Sequence, residues 1–425
     1  MRLSVRAITF LVTALVPVAC REGGITGPGT TTLPRELTAS ESHLVAANNA
    51  FAFKLYGALA ARESLDSNIF ISPLSVGMAL GMTVNGAAGA TRDSMLAALQ
   101  LAGVPMDQVN QTYRSVIDLL RGLDPGVAFT LANSIWYRST FETPGQAFLD
   151  ATRTYFDAQV QALDFSAPTA AKTINDWVSE QTRGKIPAIV DAPIDPSVVM
   201  YLINAIYFKG SWTQKFDAGL TRDGPFTLRT GATVTASLMS HADTAPAPAR
   251  LYRGDGVTVV DLPYGGGAYA MTIVLPSSPA AVDSLSGSLT ESRWNAWIAG
   301  LDSTPVIVTM PKFKLTFDRG LERPLADLGM GIALCDGGGL ADFSGMYPGA
   351  RPGDFCISSV KHKTYVDVYE EGTEAAAVTA VGITTSVAPS GPPRIVVDRP
   401  FIVAIRERLT GTILFLGRVV NPVAS

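Results

Sequence analysis

The first helical pattern of apolar residues along the chain begins at residue 38. Thr38 followed by Glu41 matches a capping box, in which each side chain bonds to the backbone amide of the other residue. The apolar residues that follow at intervals of three and four share one helical face: Leu44, Ala47, Phe51 and Leu55. We therefore predict an amphipathic helix that starts at Thr38.

Three further helices are predicted from caps and apolar spacing. Ser72 and Pro73 are the residue types favoured at the cap and at the first position of a helix, and the Asn-Gly pair at 85–86 is a stop signal. Thr91 is predicted to cap a third helix. A fourth is predicted from Lys172 to Thr182, where the apolar residues again lie on one side.

The remaining apolar segments have the composition of strands. They lie at 200–208, 257–262, 268–275, 306–310, 365–369, 395–397, 401–405 and 412–419. Turns at 264–267 and 409–412 join neighbouring segments as hairpins. Helices gather in the first half and strands in the second, which indicates the α+β class. Because no long Pro/Gly-rich break or internal repeat divides residues 38–425, we expect them to form a single domain.

Composition excludes several classes of protein. Of 425 residues, 47% are hydrophobic and 16% are charged, a balance that favours a large buried core over a disordered chain. The formal net charge of −4 is too small to recruit a phosphate backbone or an anionic lipid surface. No nucleic-acid partner is expected.

The first twenty residues match an export signal. They carry basic residues at Arg2 and Arg6 and a small-residue site that ends in Cys20. The apolar core at 8–18, about eleven residues, is too short for a permanent membrane span. The site at 18–20 resembles the processing site of bacterial lipoproteins, so Cys20 is predicted to be lipidated in an exported bacterial protein. Ordinary signal-peptidase cleavage, which would leave a free secreted protein, is the alternative.

Residues 21–37 are rich in Gly, Thr and Pro, which predicts a flexible linker between the signal segment and the folded domain. Only two cysteines follow Cys20, namely Cys335 and Cys356. In an oxidising compartment they form either a disulfide or two buried free thiols, and the sequence leaves both alternatives open. No third cysteine or nearby histidine accompanies them, so neither a metal site nor a cofactor is expected.

An unusually long segment separates the predicted strands at 365–369 and 395–397. Connections longer than about 12–15 residues are normally functional or disordered, yet this one is uncharged from 375 to 389 and rich in strand-forming residues. One interpretation is a loop that later becomes a strand, with Gly372 as its hinge. A permanently paired edge strand followed by a proline-rich turn is the alternative. On the first interpretation, small residues that can slide between packed strands would line one face of the new strand: Thr373, Ala375, Ala377 and Thr379.

The start of this segment resembles the reactive-loop hinge of inhibitory serpins, a family of serine protease inhibitors. The matching residues are Glu370, Glu371, Gly372, Thr373, Glu374, Ala375, Ala376 and Ala377. Five further segments resemble serpin motifs in the order of the family, at 68–75, 85–91, 204–212, 310–313 and 399–401. Together they span almost all of residues 40–425, so the resemblance is specific.

The resemblance implies a serpin fold with a large central mixed sheet, two smaller sheets, about nine helices and an exposed reactive-centre loop. It also implies a suicide mechanism, in which a target protease cleaves the loop and forms an acyl-enzyme through its serine. The loop then inserts into the central sheet and distorts the oxyanion hole that deacylation requires. The native form would be kinetically trapped above a more stable inserted form. A monomer whose partner is a serine protease is expected.

Further positions carry over from the family. Trp212 matches the aromatic residue of the breach, the top of the central sheet where insertion starts, although a plain core role is the alternative. Lys312 is expected to bridge to Glu370 there. The shutter, a polar cluster beneath the central sheet, is expected at Ser72, Ser75, Asn204 and His362, for which helix capping and ordinary buried hydrogen bonding are the alternatives.

The reactive bond is predicted between Ser386 and Val387, within about three residues, by counting from the hinge. Counting back from 399–401 gives a bond after Pro389, and the bonds at 385–386 and 383–384 are further alternatives. No Lys or Arg occurs from 375 to 393, so a trypsin-like target, whose pocket pairs with a cation, is not expected. A small primary residue favours elastase-like or subtilisin-like enzymes over chymotrypsin-like ones.

Two other functional classes compete with a protease inhibitor. An enzymatic function has little support in the sequence. The only histidines are His43, His241 and His362, and the chain lacks the G-x-S-x-G, H-E-x-x-H and P-loop motifs. A non-inhibitory serpin that acts as a binding protein is the second. The small alanines at 375–377 favour an inhibitor over such a binding protein.

Overall fold

The computed structural model describes residues 31–373 and 391–424. The predicted signal segment at 1–20 with Cys20, much of the linker, the hinge residues at 374–377 and the predicted bond between Ser386 and Val387 lie outside the described residues.

Nine helices occur in the described part of the chain: α1 (Ala39–Ala60), α2 (Pro73–Val84), α3 (Gly89–Ala98), α4 (Met106–Leu120), α5 (Gln146–Phe156), α6 (Ala170–Gln181), α7 (Ala281–Gly287), α8 (Glu291–Ala299) and α9 (Glu322–Leu325). The capping box before α1 is present, since Thr38 Oγ1 accepts from the Glu41 N–H and the Glu41 carboxylate accepts from the Thr38 N–H. The predicted start of α2 is also correct, with Ser72 as its cap and Pro73 as its first residue.

The predicted cap of α3 is wrong. The helix begins at Gly89, and Ala88 occupies the cap position without a side-chain hydrogen bond. Thr91 lies buried in the first turn, where its hydroxyl oxygen accepts from the N–H of Asp342 at 2.9 Å. The local capping preference is overridden because this hydroxyl satisfies a distant backbone group instead.

The strands are β1 (Ile69–Ile71), β2 (Val127–Arg138), β3 (Gln159–Leu163), β4 (Met200–Ser211), β5 (Asp217–Thr227), β6 (Thr233–Ser240), β7 (Arg250–Gly254), β8 (Val257–Tyr264), β9 (Tyr269–Pro276), β10 (Asp302–Ser303), β11 (Ile307–Pro311), β12 (Phe313–Gly320), β13 (Lys361–Tyr369), β14 (Gly372–Thr373), β15 (Arg394–Val396), β16 (Phe401–Glu407) and β17 (Ile413–Val419). They form a seven-stranded sheet (β1-β17-β16-β9-β8-β7-β10), a six-stranded sheet (β12-β13-β14-β4-β2-β3) and a four-stranded sheet (β15-β11-β6-β5). The fold is therefore α+β, as predicted.

The six-stranded sheet is mixed, because β2 pairs parallel to β3 whereas its other pairs are antiparallel. Its long strand β2 was not predicted and corrects the expectation that strands gather in the second half of the chain. Asn133 and Ser134 interrupt the apolar pattern of β2, yet both side chains are buried. A strand covered on both faces does not alternate between apolar and polar residues, so its period is hard to recognise.

Apolar clusters cover both faces of the six-stranded sheet at β4, whereas β12 alternates between buried and exposed residues. Ile206 and Phe208 of β4 belong to the main core, whereas Ile203 and Ala205 pack in a separate cluster with residues of α6. Neighbouring residues of a strand point to opposite faces, so these two clusters lie on opposite sides of the sheet. No helix in the described part of the chain is long and apolar enough to cross a bilayer.

Candidate functional site

The two residues of β14 lie between β13 and β4. Gly372 is opposite Tyr369 on β13 and Ser211 on β4, and Thr373 is opposite Val368 and Gly210. Because β14 is antiparallel to both neighbours, β4 and β13 run parallel to each other. Within the described residues no pairing joins these two strands directly, and a cavity of about 400 Å³ is lined by the first residues of both.

Gly372 is needed at the entry to β14. Its φ of +153° lies in a region that side chains other than glycine rarely adopt. A Cβ at this position would also lie only 2.1 Å from the carbonyl oxygen of Gly210. A larger residue would therefore displace the start of β14 from β4.

The turn that leads into β14 is held by backbone hydrogen bonds from the segment after β4. The Trp212 N–H donates to the carbonyl of Glu371 at 3.0 Å, and the Phe216 N–H donates to the carbonyl of Glu370 at 3.0 Å. The indole Nε1 of Trp212 donates to the carbonyl of Tyr369 at 2.9 Å. Residues 369–371 are thus fixed to the end of β4.

The side chains of the same turn form two ion pairs. Lys312 Nζ lies 3.0 Å from Glu370 Oε2, and Lys215 pairs with Glu371. Burial alone would raise the pKa of Glu370, but hydrogen bonds from Thr221 and Lys312 outweigh it and hold this pKa below its ordinary value. The carboxylate of Glu370 is therefore charged at neutral pH.

Aromatic rings form a continuous stack beside the turn. Trp212, which is 4% exposed, stacks on Tyr264 with ring centroids 4.3 Å apart. Phe216 meets the edge of Trp212 on one side and stacks on His241 at 3.9 Å on the other. Tyr264 Oη lies 2.6 Å from Thr373 Oγ1, so the stack touches β14 itself.

Of the four predicted shutter residues, three lie together. The N–H of Ser72 donates to His362 Nε2 at 3.0 Å, and the N–H of Ser75 donates to Ser72 Oγ at 3.3 Å. Ser72 Oγ in turn donates to the carbonyl of Leu414 at 2.8 Å. Burial of the imidazole lowers the pKa of His362 to about 4, so its ring is neutral at pH 7.

The fourth, Asn204, lies across the cavity on β4 and makes a different contact. Its Nδ2 donates to Asn133 Oδ1 at 2.7 Å, and its own Oδ1 is buried with no hydrogen-bond partner among the described residues. Sequence reasoning missed Asn133, which is directly opposite Asn204 on β2. Two adjacent polar residues within an otherwise strand-like segment were the available signal.

Tyr264 was also missed as a site residue. It is fully buried and touches both Trp212 and Thr373. Its place directly before the glycine run at 265–267 indicated only a hairpin turn, because the contact with Thr373 joins residues 109 positions apart.

Cys335 and Cys356 are joined by a disulfide with Cα atoms 4.9 Å apart. Both residues are exposed, so they do not match the alternative of two buried thiols. They line the same cavity as Asn204 and His362. Among the described residues, no group of three or more His, Cys, Asp or Glu side chains could hold a metal ion.

Comparison with known proteins gives one consistent result. A family model described as "Serpin (serine protease inhibitor)" matches residues 46–422. The leukocyte elastase inhibitor of Bos taurus is 37% identical over 390 residues, which cover 89% of this chain and 99% of that protein. Iripin-5 of Ixodes ricinus is 34% identical over 385 residues, covering 89% and 95% of the two chains.

Solved structures agree with the sequence relatives. The thermophilic serpin Tengpin in its native state superposes with a TM-score of 0.77 at 29% identity, covering 91% of this chain and 95% of that chain. Human thyroxine-binding globulin in complex with thyroxine gives a TM-score of 0.79 at 28% identity, covering 91% of this chain and 100% of that chain. The family match over most of the chain, together with these relatives and structures, shows that this chain belongs to the serpin family.

Proposed function

We propose that this chain inhibits serine proteases as a suicide substrate. The protease cleaves the loop after β14, and the hinge then inserts between β4 and β13 as a new strand while the protease is still bound covalently. The observation that carries this proposal is the position of β14, which already pairs with both of these strands.

The register of β14 supports insertion of the residues that follow it. If β14 continued past Thr373 in the same register, Thr379 would be opposite Asn204 on β4 and His362 on β13. Residues directly opposite each other in a sheet point to the same face. The hydroxyl of Thr379 would therefore lie beside Asn204 Oδ1, the buried acceptor that lacks a partner.

The same register assigns the small residues of the hinge to the crowded face. Ala375 and Ala377 would share the face of Thr373, which is only 3% exposed. On β4 they would be opposite Phe208 and Ile206, both part of the main core. A large or charged side chain at these two positions would require the core to move, whereas alanine fits without displacement.

The chemistry follows from the geometry of insertion. The serine of the protease attacks the carbonyl carbon of the reactive residue, the peptide bond breaks, and the new amino terminus leaves with a proton. If Ser386 is that residue, it lies 13 positions after Thr373, which corresponds to roughly 40 Å of extended strand. Insertion would pull the ester far from the breach and disturb the donors that stabilise the oxyanion during deacylation.

We propose an elastase-like or subtilisin-like target, because the loop has no Lys or Arg from 375 to 393. The name of the Bos taurus relative, a leukocyte elastase inhibitor, supports the same class. Residues 1–20 support export, followed either by attachment to the cell envelope through lipidated Cys20 or by secretion as a free monomer.

Incubation with an elastase tests the proposal. We expect a complex that survives denaturing electrophoresis, and mass spectrometry of that complex should identify the bond at Ser386–Val387 or within about three residues of it. The Thr373→Arg variant should be cleaved at the same bond without trapping the protease, because arginine cannot occupy the buried position of Thr373.

The outcomes separate the alternatives. Complexes with trypsin alone would contradict the target class but leave the mechanism intact. Cleavage of the unaltered chain without any covalent complex would contradict the mechanism and favour a non-inhibitory binding protein; thyroxine-binding globulin is named as a binding protein. Trapping that persists in Thr373→Arg would show that insertion is not the cause of inhibition.

A further inference from the structure

His241 directly follows β6 and is 2% exposed. Its ring connects two elements, because Nδ1 accepts from the N–H of Val308 on β11 at 3.3 Å and Nε2 lies 3.2 Å from the carbonyl oxygen of Gln214. Nδ1 is an acceptor, so the proton of the neutral ring is on Nε2, which donates to Gln214.

The residues that His241 contacts also hold the hinge. Its ring stacks on Phe216 at 3.9 Å and 27°, and the N–H of Phe216 donates to Glu370. Trp212, four residues earlier, donates to Glu371 and packs against Phe216. His241 therefore supports the segment 212–216 from the four-stranded sheet, and this segment supports the turn that leads into Gly372.

We propose that His241 is a pH-sensitive positioning residue for the hinge. The neutral imidazole fixes residues 212–216 to β11 and so keeps Gly372 and Thr373 in place between β13 and β4. Protonation of the ring in acid releases this segment and loosens the top of the sheet. The effect of this release on inhibition rests on the proposed function, but the release itself does not.

The hydrogen bonds explain why protonation is disruptive. A proton on Nδ1 would face the N–H of Val308, so two donors would meet and the acceptor would be lost. The charged ring would also occupy a position that is only 2% exposed, where its charge is poorly solvated. Burial lowers the pKa of His241 to about 4, in agreement with this geometry.

No nearby carboxylate is free to stabilise a charged imidazole. β6 and β11 contain no charged residue. Of the charged groups in the other adjoining segments, Lys215 pairs with Glu371, Lys312 with Glu370 and Asp243 with Arg394, while Asp217 accepts from the N–H of Gly219. The protonated ring would therefore have no ion-pair partner among the described residues.

Amide hydrogen exchange of the full chain, corrected for the intrinsic rate at each pH, tests this inference without a protease. In the unaltered chain, we expect protection of the amides at 212–216 and 370–373 to fall at least about tenfold from pH 6.5 to pH 4. His241→Asn, which can still accept from Val308 but does not titrate at this position, should lose at least about fivefold less protection over the same range.

Two further variants keep the result interpretable. His241→Phe retains the stack on Phe216 and cannot titrate, so it should also lack the pH response even if His241→Asn folds poorly. His43→Gln, at an exposed position of α1, should behave like the unaltered chain. If the His241 variants lost as much protection between pH 6.5 and pH 4 as the unaltered chain does, the inference would be overturned. This outcome does not depend on whether the chain traps a protease.

Discussion

The hydroxyl groups of Tyr264 and Thr373 lie 2.6 Å apart, and both side chains are buried. Tyr264 ends β8 of the seven-stranded sheet, whereas Thr373 belongs to β14 of the six-stranded sheet. Burial raises the pKa of Tyr264, so its hydroxyl keeps its proton at neutral pH. One neutral hydrogen bond thus joins the two sheets where the hinge enters.

Tyr264→Phe should destabilise the native form by about 1–3 kcal/mol, because the Thr373 hydroxyl would remain buried without a partner. Urea unfolding measures this change. Adding Thr373→Val to the same variant removes the unpaired group and should recover most of the loss. If the double variant is as unstable as the sum of the two single variants, the hydroxyls do not interact.

Ala377→Glu should convert the chain from an inhibitor into a substrate. The register of β14 assigns Ala377 to the core face, where it would be opposite Ile206, and a carboxylate cannot be buried there without a partner. Ala376→Glu is the matched control, since Ala376 would face the opposite side of the sheet, where the residues of β13 are only half-buried. The number of inhibitor molecules consumed per protease should rise at least about tenfold in the first variant and change little in the second. Equal effects at both positions would refute the register.

Cleavage of the loop near Ser386 should raise the melting temperature. On the proposed mechanism, insertion of the freed strand would add hydrogen bonds to β4 and β13 and would release the free energy that separates the kinetically trapped native form from the more stable inserted form. Differential scanning calorimetry before and after limited proteolysis checks this, with cleavage confirmed by mass spectrometry. An unchanged melting temperature after complete cleavage would contradict insertion.

His362 should make stability depend on pH. Its pKa falls from 6.5 to about 4 on folding because the ring is buried, so the unfolded chain binds more protons between these values. The contribution of neutral His362 to the free energy of unfolding is therefore fully present above about pH 6.5. The free energy of unfolding should decline by roughly 3 kcal/mol as the pH falls to 4. His362→Asn should reduce this decline in unfolding experiments at each pH, whereas His43→Gln should leave it unchanged. An identical decline in both variants would assign the pH dependence to other groups.

The disulfide between Cys335 and Cys356 joins residues 21 positions apart. Closing a loop of this length stabilises a protein by about 3 kcal/mol through the entropy of the unfolded chain. The double variant Cys335→Ser, Cys356→Ser should lose roughly this amount, measured by urea unfolding. A reducing agent should lower the stability of the unaltered chain and leave the double variant unchanged. Insensitivity of the unaltered chain would show that the bond does not contribute.

The features that the sequence determined are local ones. The Thr38 capping box, the Ser72–Pro73 helix start and the hairpin turns depend on residues a few positions apart, so their patterns are visible in the chain. The sequence also indicated Gly372 as the hinge of the long loop. The motifs at 370–377 further identified the family before any contact was known.

Only the tertiary structure decided which distant residues meet. Tyr264 with Thr373, Asn133 with Asn204 and His241 with Phe216 are pairs from different elements, and no spacing in the chain specifies them. At Thr91 a tertiary contact overrides a local preference, since its hydrogen bond with Asp342 replaces the capping role that its local sequence favours. Local patterns follow from backbone geometry over one or two turns, whereas these pairs depend on how whole sheets pack.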